Sequence, residues 1–120
     1  MNAERVFIGL GANLGDARAT VNAAFEALAA LSGTQVVARS SLYRTAPVEA
    51  RGPDFVNAVA ELRTELDPEV LLRALQAIEA RHERQRPYRN APRTLDLDVL
   101  FVGERIIASP TLTVPHPRLQ

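Results

Sequence analysis

The sequence predicts an α+β fold, an antiparallel sheet with helices packed on one face, and three observations carry that prediction. Short apolar runs rich in β-branched residues are separated by two segments whose apolar residues recur at helical spacing. Taken in order, the segments read strand, helix, strand, strand, helix, strand. Glycine, proline, asparagine and aspartate gather at the junctions, where turn chemistry places them. With 120 residues, 47% hydrophobic and 23% charged, the chain fits one domain with one core over residues 1–120.

Val6-Phe7-Ile8-Gly9-Leu10-Gly11 reads as a short buried strand, followed by turn residues at Asn13-Leu14-Gly15-Asp16. Val21, Ala24, Phe25, Leu28 and Leu31 then mark an amphipathic helix over 16–31, which Ser32-Gly33 ends. Residues from Gln35 to Tyr43 are β-rich and read as the second strand. Residues 44–53 hold Pro47, Gly52 and Pro53 and read as a loop. The third strand is predicted over 55–62. Asp67-Pro68-Glu69 is a helix start: a capping carboxylate, a proline at the first helical position, and a glutamate at the positive end of the dipole. Leu71, Leu72, Leu75 and Ile78 give that helix its buried stripe. A fourth strand is predicted from Leu95 to Phe101, with Gly103-Glu104 turning into a short strand at Arg105 to Ala108. The tail from Pro110 to Gln120 has three prolines and reads as irregular. This order fits a ferredoxin-like βαββαβ sandwich. That topology hosts catalysts, metabolite sensors and RNA binders, so function must come from particular residues.

Composition narrows the classes. Fourteen basic residues balance fourteen acidic ones, so the chain lacks the global basic field used for non-specific nucleic-acid binding. All the basic residues are arginine, the side chain best shaped for bidentate phosphate contacts. There is no cysteine, which excludes disulfides and thiolate metal sites. The N-terminus lacks the regions of a signal peptide, and no window reaches the length of a membrane span. A cytoplasmic protein is expected.

The most informative stretch is Arg93-Thr94-Leu95-Asp96-Leu97-Asp98-Val99-Leu100. On a strand, Asp96 and Asp98 project together while Leu95, Leu97 and Val99 face the core. Two adjacent carboxylates repel and are costly to desolvate unless a cation lies between them. Magnesium is held by such groups together with phosphate oxygens and water. Spacing alone does not separate this from a solvated acidic pair on an exposed strand. Residues 81–93 add Arg81, Arg84, Arg86, Arg89 and Arg93 against the single Glu83. Carboxylates for a metal beside guanidinium forks for phosphate oxygens is what a metal–polyphosphate requires; a solvated charged loop is the plainer alternative.

Other motifs are weaker. No Gly-Lys-Ser/Thr loop exists in a chain without lysine. Gly9, Gly11 and Gly15 miss the dinucleotide spacing, and a tight strand-to-helix turn explains them better. His116 is presented stiffly between Pro115 and Pro117. For His82, at a helix end, a favourable dipole contact suffices. Phe55 and Asn57 share a strand face, a combination suited to a flat heterocycle, although one core phenylalanine and one edge amide would look the same.

Taken together, Arg89-Asn90-Ala91-Pro92-Arg93-Thr94-Leu95-Asp96-Leu97-Asp98-Val99-Leu100 resembles the signature of the 6-hydroxymethyl-7,8-dihydropterin pyrophosphokinase family. Gly11-Ala12-Asn13-Leu14-Gly15-Asp16 resembles its first turn. Ser41-Leu42-Tyr43-Arg44-Thr45-Ala46-Pro47 and Phe55-Val56-Asn57-Ala58 resemble its pterin-side segments, and Gln76-Ala77-Ile78-Glu79 and Val114-Pro115-His116-Pro117-Arg118 follow in family order.

The resemblance implies Mg-dependent transfer of diphosphate from ATP to the pterin hydroxymethyl group, with AMP released, in folate biosynthesis. It implies two Mg²⁺ ions on Asp96 and Asp98. Arg84, Arg86 and Arg93 would act on the triphosphate. Gln76, Thr113 and His116 would contact the nucleotide, with Leu72, Val99 and Leu112 lining the adenine pocket. Phe55 would stack on the pterin and Asn57 read its edge. Thr45 and Val48 would complete that slot, and Asp96 would border it. Loops 44–53 and 83–92 would act as lids. Family members usually continue past the position of Gln120 into an arginine, a second stacking aromatic, a closing strand and helices. A monomer acting on small molecules, without nucleic acid or membrane, is expected. The competing readings are a non-catalytic metabolite-binding module and an RNA-binding module of the same topology.

Overall fold

The computed structural model describes residues 3–13, 16–46, 54–83 and 95–116. The elements are β1 (Glu4–Ala12), α1 (Ala17–Ala29), β2 (Thr34–Arg39), β3 (Tyr43–Thr45), β4 (Phe55–Thr64), α2 (Pro68–Glu83), β5 (Asp96–Val102), β6 (Ile107–Ala108) and β7 (Thr113–Val114). The main sheet is antiparallel in the order β2-β4-β1-β5, with β3 also paired to β4; β6 and β7 form a separate two-stranded ribbon. The α+β class and the packing of two helices on an antiparallel sheet match the sequence reading.

Strand alternation divides the sheet into two faces. Val6, Ile8, Leu10 and Ala12 of β1 stand opposite Leu62, Ala60, Ala58 and Val56 of β4, and all are buried. Leu95, just before β5, and its Leu97, Val99 and Val102 lie on the same side. Val21, Ala24, Phe25 and Leu28 from α1 and Leu71, Leu75 and Ile78 from α2 close over these residues in one cluster. Burying each such large side chain stabilises the fold by about 1.5–3 kcal/mol relative to leaving it in water. Both helices therefore cover one face of the sheet.

The helix ends follow local chemistry. Asp16 caps α1, its Oδ1 accepting from the Ala19 amide at 3.1 Å. Asp67 accepts from the Glu69 amide at 3.3 Å, ahead of Pro68 at the first position of α2. Gly33 turns the chain into β2 at φ +62°, a conformation that costs glycine no Cβ clash.

Three local expectations are corrected. The single strand over 35–43 is two, because β2 pairs with the C-terminal half of β4 and β3 with its N-terminal end. A bulge at Val37 breaks the β2 register, and Val37 is exposed. The tail is not wholly irregular: Thr113 and Val114 form β7 against β6, which is shorter than the strand expected from Arg105 to Ala108. Buried Leu112 and Val114 anchor it despite the flanking prolines. Finally, Gly9 and Gly11 lie inside β1 rather than in a turn.

Candidate active site

The side of the sheet away from the helices carries a cleft of about 390 Å³, lined by residues of β1, β3, β4 and β5. Register explains its shape. Gly9 stands opposite Asp98 and Val59, and Gly11 opposite Asp96 and Asn57. Two residues without a Cβ on the central strand leave a trough between the acids of β5 and the polar residues of β4. A Cβ on Gly11 would lie 3.2 Å from Asn57 Oδ1, and one on Gly9 would lie 3.4 Å from the Leu100 side chain. The glycines are therefore what keeps the floor of the cleft low. Sequence reasoning missed this role, although two glycines at i and i+2 within an apolar strand were the available signal.

Asp96 and Asp98 both line the cleft from one wall. Asp98 Oδ1 lies 3.5 Å from His116 Nε2, and the His116 amide donates to the Leu100 carbonyl at 3.1 Å. The two-stranded ribbon thus brings His116 to the acid pair, an approach that the sequence did not reveal. Among the described residues no third histidine, cysteine, aspartate or glutamate completes a protein-only metal cluster. Two hard oxygen donors beside an open cleft fit a magnesium ion whose remaining positions are filled by phosphate oxygens and water.

On the opposite wall stand Phe55, Asn57, Thr45 and Tyr43. Asn57 Nδ2 donates to Thr45 Oγ1 at 2.7 Å and lies 3.4 Å from the Phe55 carbonyl. This fixes the amide so that its Oδ1 lies over Gly11 as an acceptor. Phe55 and Thr45 are register partners, as are Asn57 and Tyr43. A half-buried aromatic, an oriented amide and a hydroxyl therefore meet at one end of the trough, with the acids across it. Tyr43, half exposed, was not among the sequence-derived site residues.

A second groove of about 380 Å³ is lined by Glu69, Leu72, Arg73 and Gln76 of α2 and by Thr111. It brings together the expected Leu72 and Gln76. Glu69 clasps the ribbon here, its carboxylate accepting from Thr111 Oγ1 at 3.0 and 2.8 Å and from Ser109 Oγ at 3.1 Å. Val99 and Leu112 are instead buried in the core, and Thr113 is exposed on the ribbon. Arg84, Arg86, Arg93 and Val48 lie outside the described residues, as do most of the two expected lids.

His82 lies in the last turn of α2, at the helix end the sequence predicts. Burial and then the neighbouring Arg81 disfavour its imidazolium and hold its pKa below the ordinary histidine value.

The fold and cleft define a class: an α+β sandwich with a paired-carboxylate wall facing a half-buried aromatic, an oriented amide and a hydroxyl. The model of the family described as 7,8-dihydro-6-hydroxymethylpterin-pyrophosphokinase (HPPK) matches residues 7–120, and this chain belongs to that family. The 2-amino-4-hydroxy-6-hydroxymethyldihydropteridine pyrophosphokinase of Pseudomonas aeruginosa is 48% identical over 118 residues, covering 98% of this chain and 73% of that protein. The protein of the same name from Haemophilus influenzae is 45% identical over 111 residues, 92% of this chain and 69% of its own length. A mitochondrial folate synthesis bifunctional protein of Pisum sativum is 40% identical over 117 residues, 97% of this chain but 22% of that protein.

Proposed function

We propose that the chain transfers the terminal diphosphate of ATP to the hydroxymethyl oxygen of 6-hydroxymethyl-7,8-dihydropterin, in folate biosynthesis. The activity is that of a pyrophosphokinase, a diphosphotransferase with ATP as co-substrate. The observation that carries the substrate assignment is the juxtaposition of Phe55 and Asn57 with Asp96 and Asp98 across a floor of glycine.

In this reading the ring lies in the trough against Phe55, and Asn57 Oδ1 accepts a hydrogen bond from its amine-bearing edge. The hydroxymethyl group then points toward the acid wall. Its oxygen forms a bond to the β-phosphorus as the bond to the α-phosphate oxygen breaks, and AMP leaves with that oxygen. Asp96 and Asp98 would hold the magnesium, two ions by the family resemblance, which would supply charge neutralisation at the transferring group. Asp98 also lies beside His116, which restrains the ribbon segment expected to touch the nucleotide. Leu72 and Gln76 offer the base a groove on α2, and Arg84, Arg86 and Arg93 grip the triphosphate. Such transfer depends on positioning and charge stabilisation more than on covalent chemistry.

In this reading the chain acts on small molecules as a cytoplasmic monomer. Among the described residues no helix is long and apolar enough to cross a membrane. An RNA-binding role is disfavoured because Phe7 and Phe101, the aromatics on the sheet's far end, pack edge-to-face at 6.3 Å, with Arg5 over the Phe7 ring. Arg5 in turn pairs with Glu61 at 2.8 Å, so these rings are not splayed for base stacking. Incubation with Mg·ATP and 6-hydroxymethyl-7,8-dihydropterin tests the assignment. AMP formation that requires both substrates is expected; binding of the pterin without AMP would make the chain a sensor instead.

A further inference from the structure

β5 ends the sheet order, so no strand among the described residues pairs with its outer edge. An edge amide that points away from the sheet needs an acceptor from elsewhere. Leu97, the residue between the two candidate metal ligands, has such an amide. Its N–H donates to Glu79 Oε2 at 2.7 Å, a short charge-assisted bond to a half-buried carboxylate. Glu79 comes from the last turns of α2, one turn beyond Gln76 and on the stripe that also presents Leu72. Ile78 beside it is fully buried, so the helix carrying the acceptor is locked against the core.

We propose that Glu79 is a positioning residue for the acid pair. It holds the backbone between Asp96 and Asp98 at a fixed distance from α2, and so sets the direction in which both carboxylates leave the strand. The inference rests on the reading that this pair binds magnesium. The helix need not touch the metal, because one hydrogen bond at the central residue fixes the pleat from which both ligands project. Leu97 is itself buried on the core side, so its side chain and its amide together clamp the residue from two directions.

Three variants and two readouts besides turnover test this. Glu79→Gln keeps an oxygen acceptor, Glu79→Leu removes it at similar volume, and Glu79→Asp withdraws it by one methylene while keeping the charge. Amide exchange at Leu97 is followed by NMR, and Mn²⁺ binding by electron paramagnetic resonance with a non-hydrolysable ATP analogue. Glu79→Leu is expected to speed Leu97 exchange about tenfold and weaken Mn²⁺ about tenfold, whereas Glu79→Gln stays within about twofold on both. Glu79→Asp should resemble Glu79→Leu, and it decides the matter if the leucine variant does not fold. Faster Leu97 exchange with unchanged Mn²⁺ affinity would reduce Glu79 to an edge cap and overturn the inference. Equal losses in the Gln and Leu variants would do the same, by making charge rather than the hydrogen bond responsible. A wild-type protein that binds no Mn²⁺ would overturn the metal reading itself, a result distinct from either.

Discussion

The two faces of the main sheet are built from the same strands and could hardly differ more. On the helix-covered face, β1 presents Val6, Ile8, Leu10 and Ala12, all buried. On the other, the residues between them are Phe7, Gly9 and Gly11, and the neighbouring strands add Asn57, Asp96 and Asp98. One face is filled to exclude water; the other has side chains removed from its middle and charges set at its wall. Alternation therefore assigns stability and chemistry to alternate residues of one strand. Each can be altered without the other, provided the register holds.

This separation can be broken from either side. The largest effect is expected from Asp98→Ala, which should lower AMP production about a thousandfold while leaving the urea unfolding midpoint almost unchanged. Retained turnover would show that the acid wall is not the metal site. On the covered face, Leu62→Ala should cost about 2–5 kcal/mol in urea unfolding, since Leu62 is fully buried. Turnover per folded molecule should hold, and a specific loss of activity would mean that the faces are coupled. Gly11→Val should raise the pterin KM about tenfold with little change in that for ATP, by filling the trough against Asn57 Oδ1. An equal rise in both would place the trough's role elsewhere.

The smallest effect concerns pH. His82 has a native pKa below its unfolded value, so the unfolded chain binds more protons on acidification. Stability is then lost as pH falls through the ordinary histidine range, around 6.5, toward the lower native value. His82→Gln should flatten part of that decline in urea midpoints measured between about pH 7 and 5.

How much of this was legible follows from the same alternation. The Asp-Leu-Asp-Val pattern of β5 announced both its core side and its acid side, because a period of two needs no knowledge of neighbouring strands. The start of α2 was equally plain, since Asp67, Pro68 and Glu69 act within one turn. What escaped depends on contacts between distant segments. Gly9 and Gly11 acquire meaning only when register sets them between Asn57 and the acids. Glu79 matters because α2 crosses the edge of β5, and Glu69 because the ribbon folds back onto the helix. The split of β2 from β3 depended on both pairing with one long partner, and on a bulge at Val37 that composition did not mark. The roles of Arg84, Arg86, Arg93 and Val48 rest on the sequence and the family alone.

The register of β5 slips once, between its pairings of Val99 with Ile8 and of Phe101 with Phe7, which leaves Leu100 as an additional residue. Without that slip, Phe101 would turn into the helical layer and Val102 out of it. Leu100 thus works as a phase reset: upstream, even numbers look into the cleft, and downstream the parity reverses. Deleting this one leucine would bring Val99, Phe101 and Val102 into unbroken alternation against Ile8, Phe7 and Val6 and leave every facing as it is. Adding a second residue beside it would instead turn one part of the strand over. Insertions and deletions in this protein should therefore be judged by their parity and by the side of Leu100 on which they fall, before their size is considered.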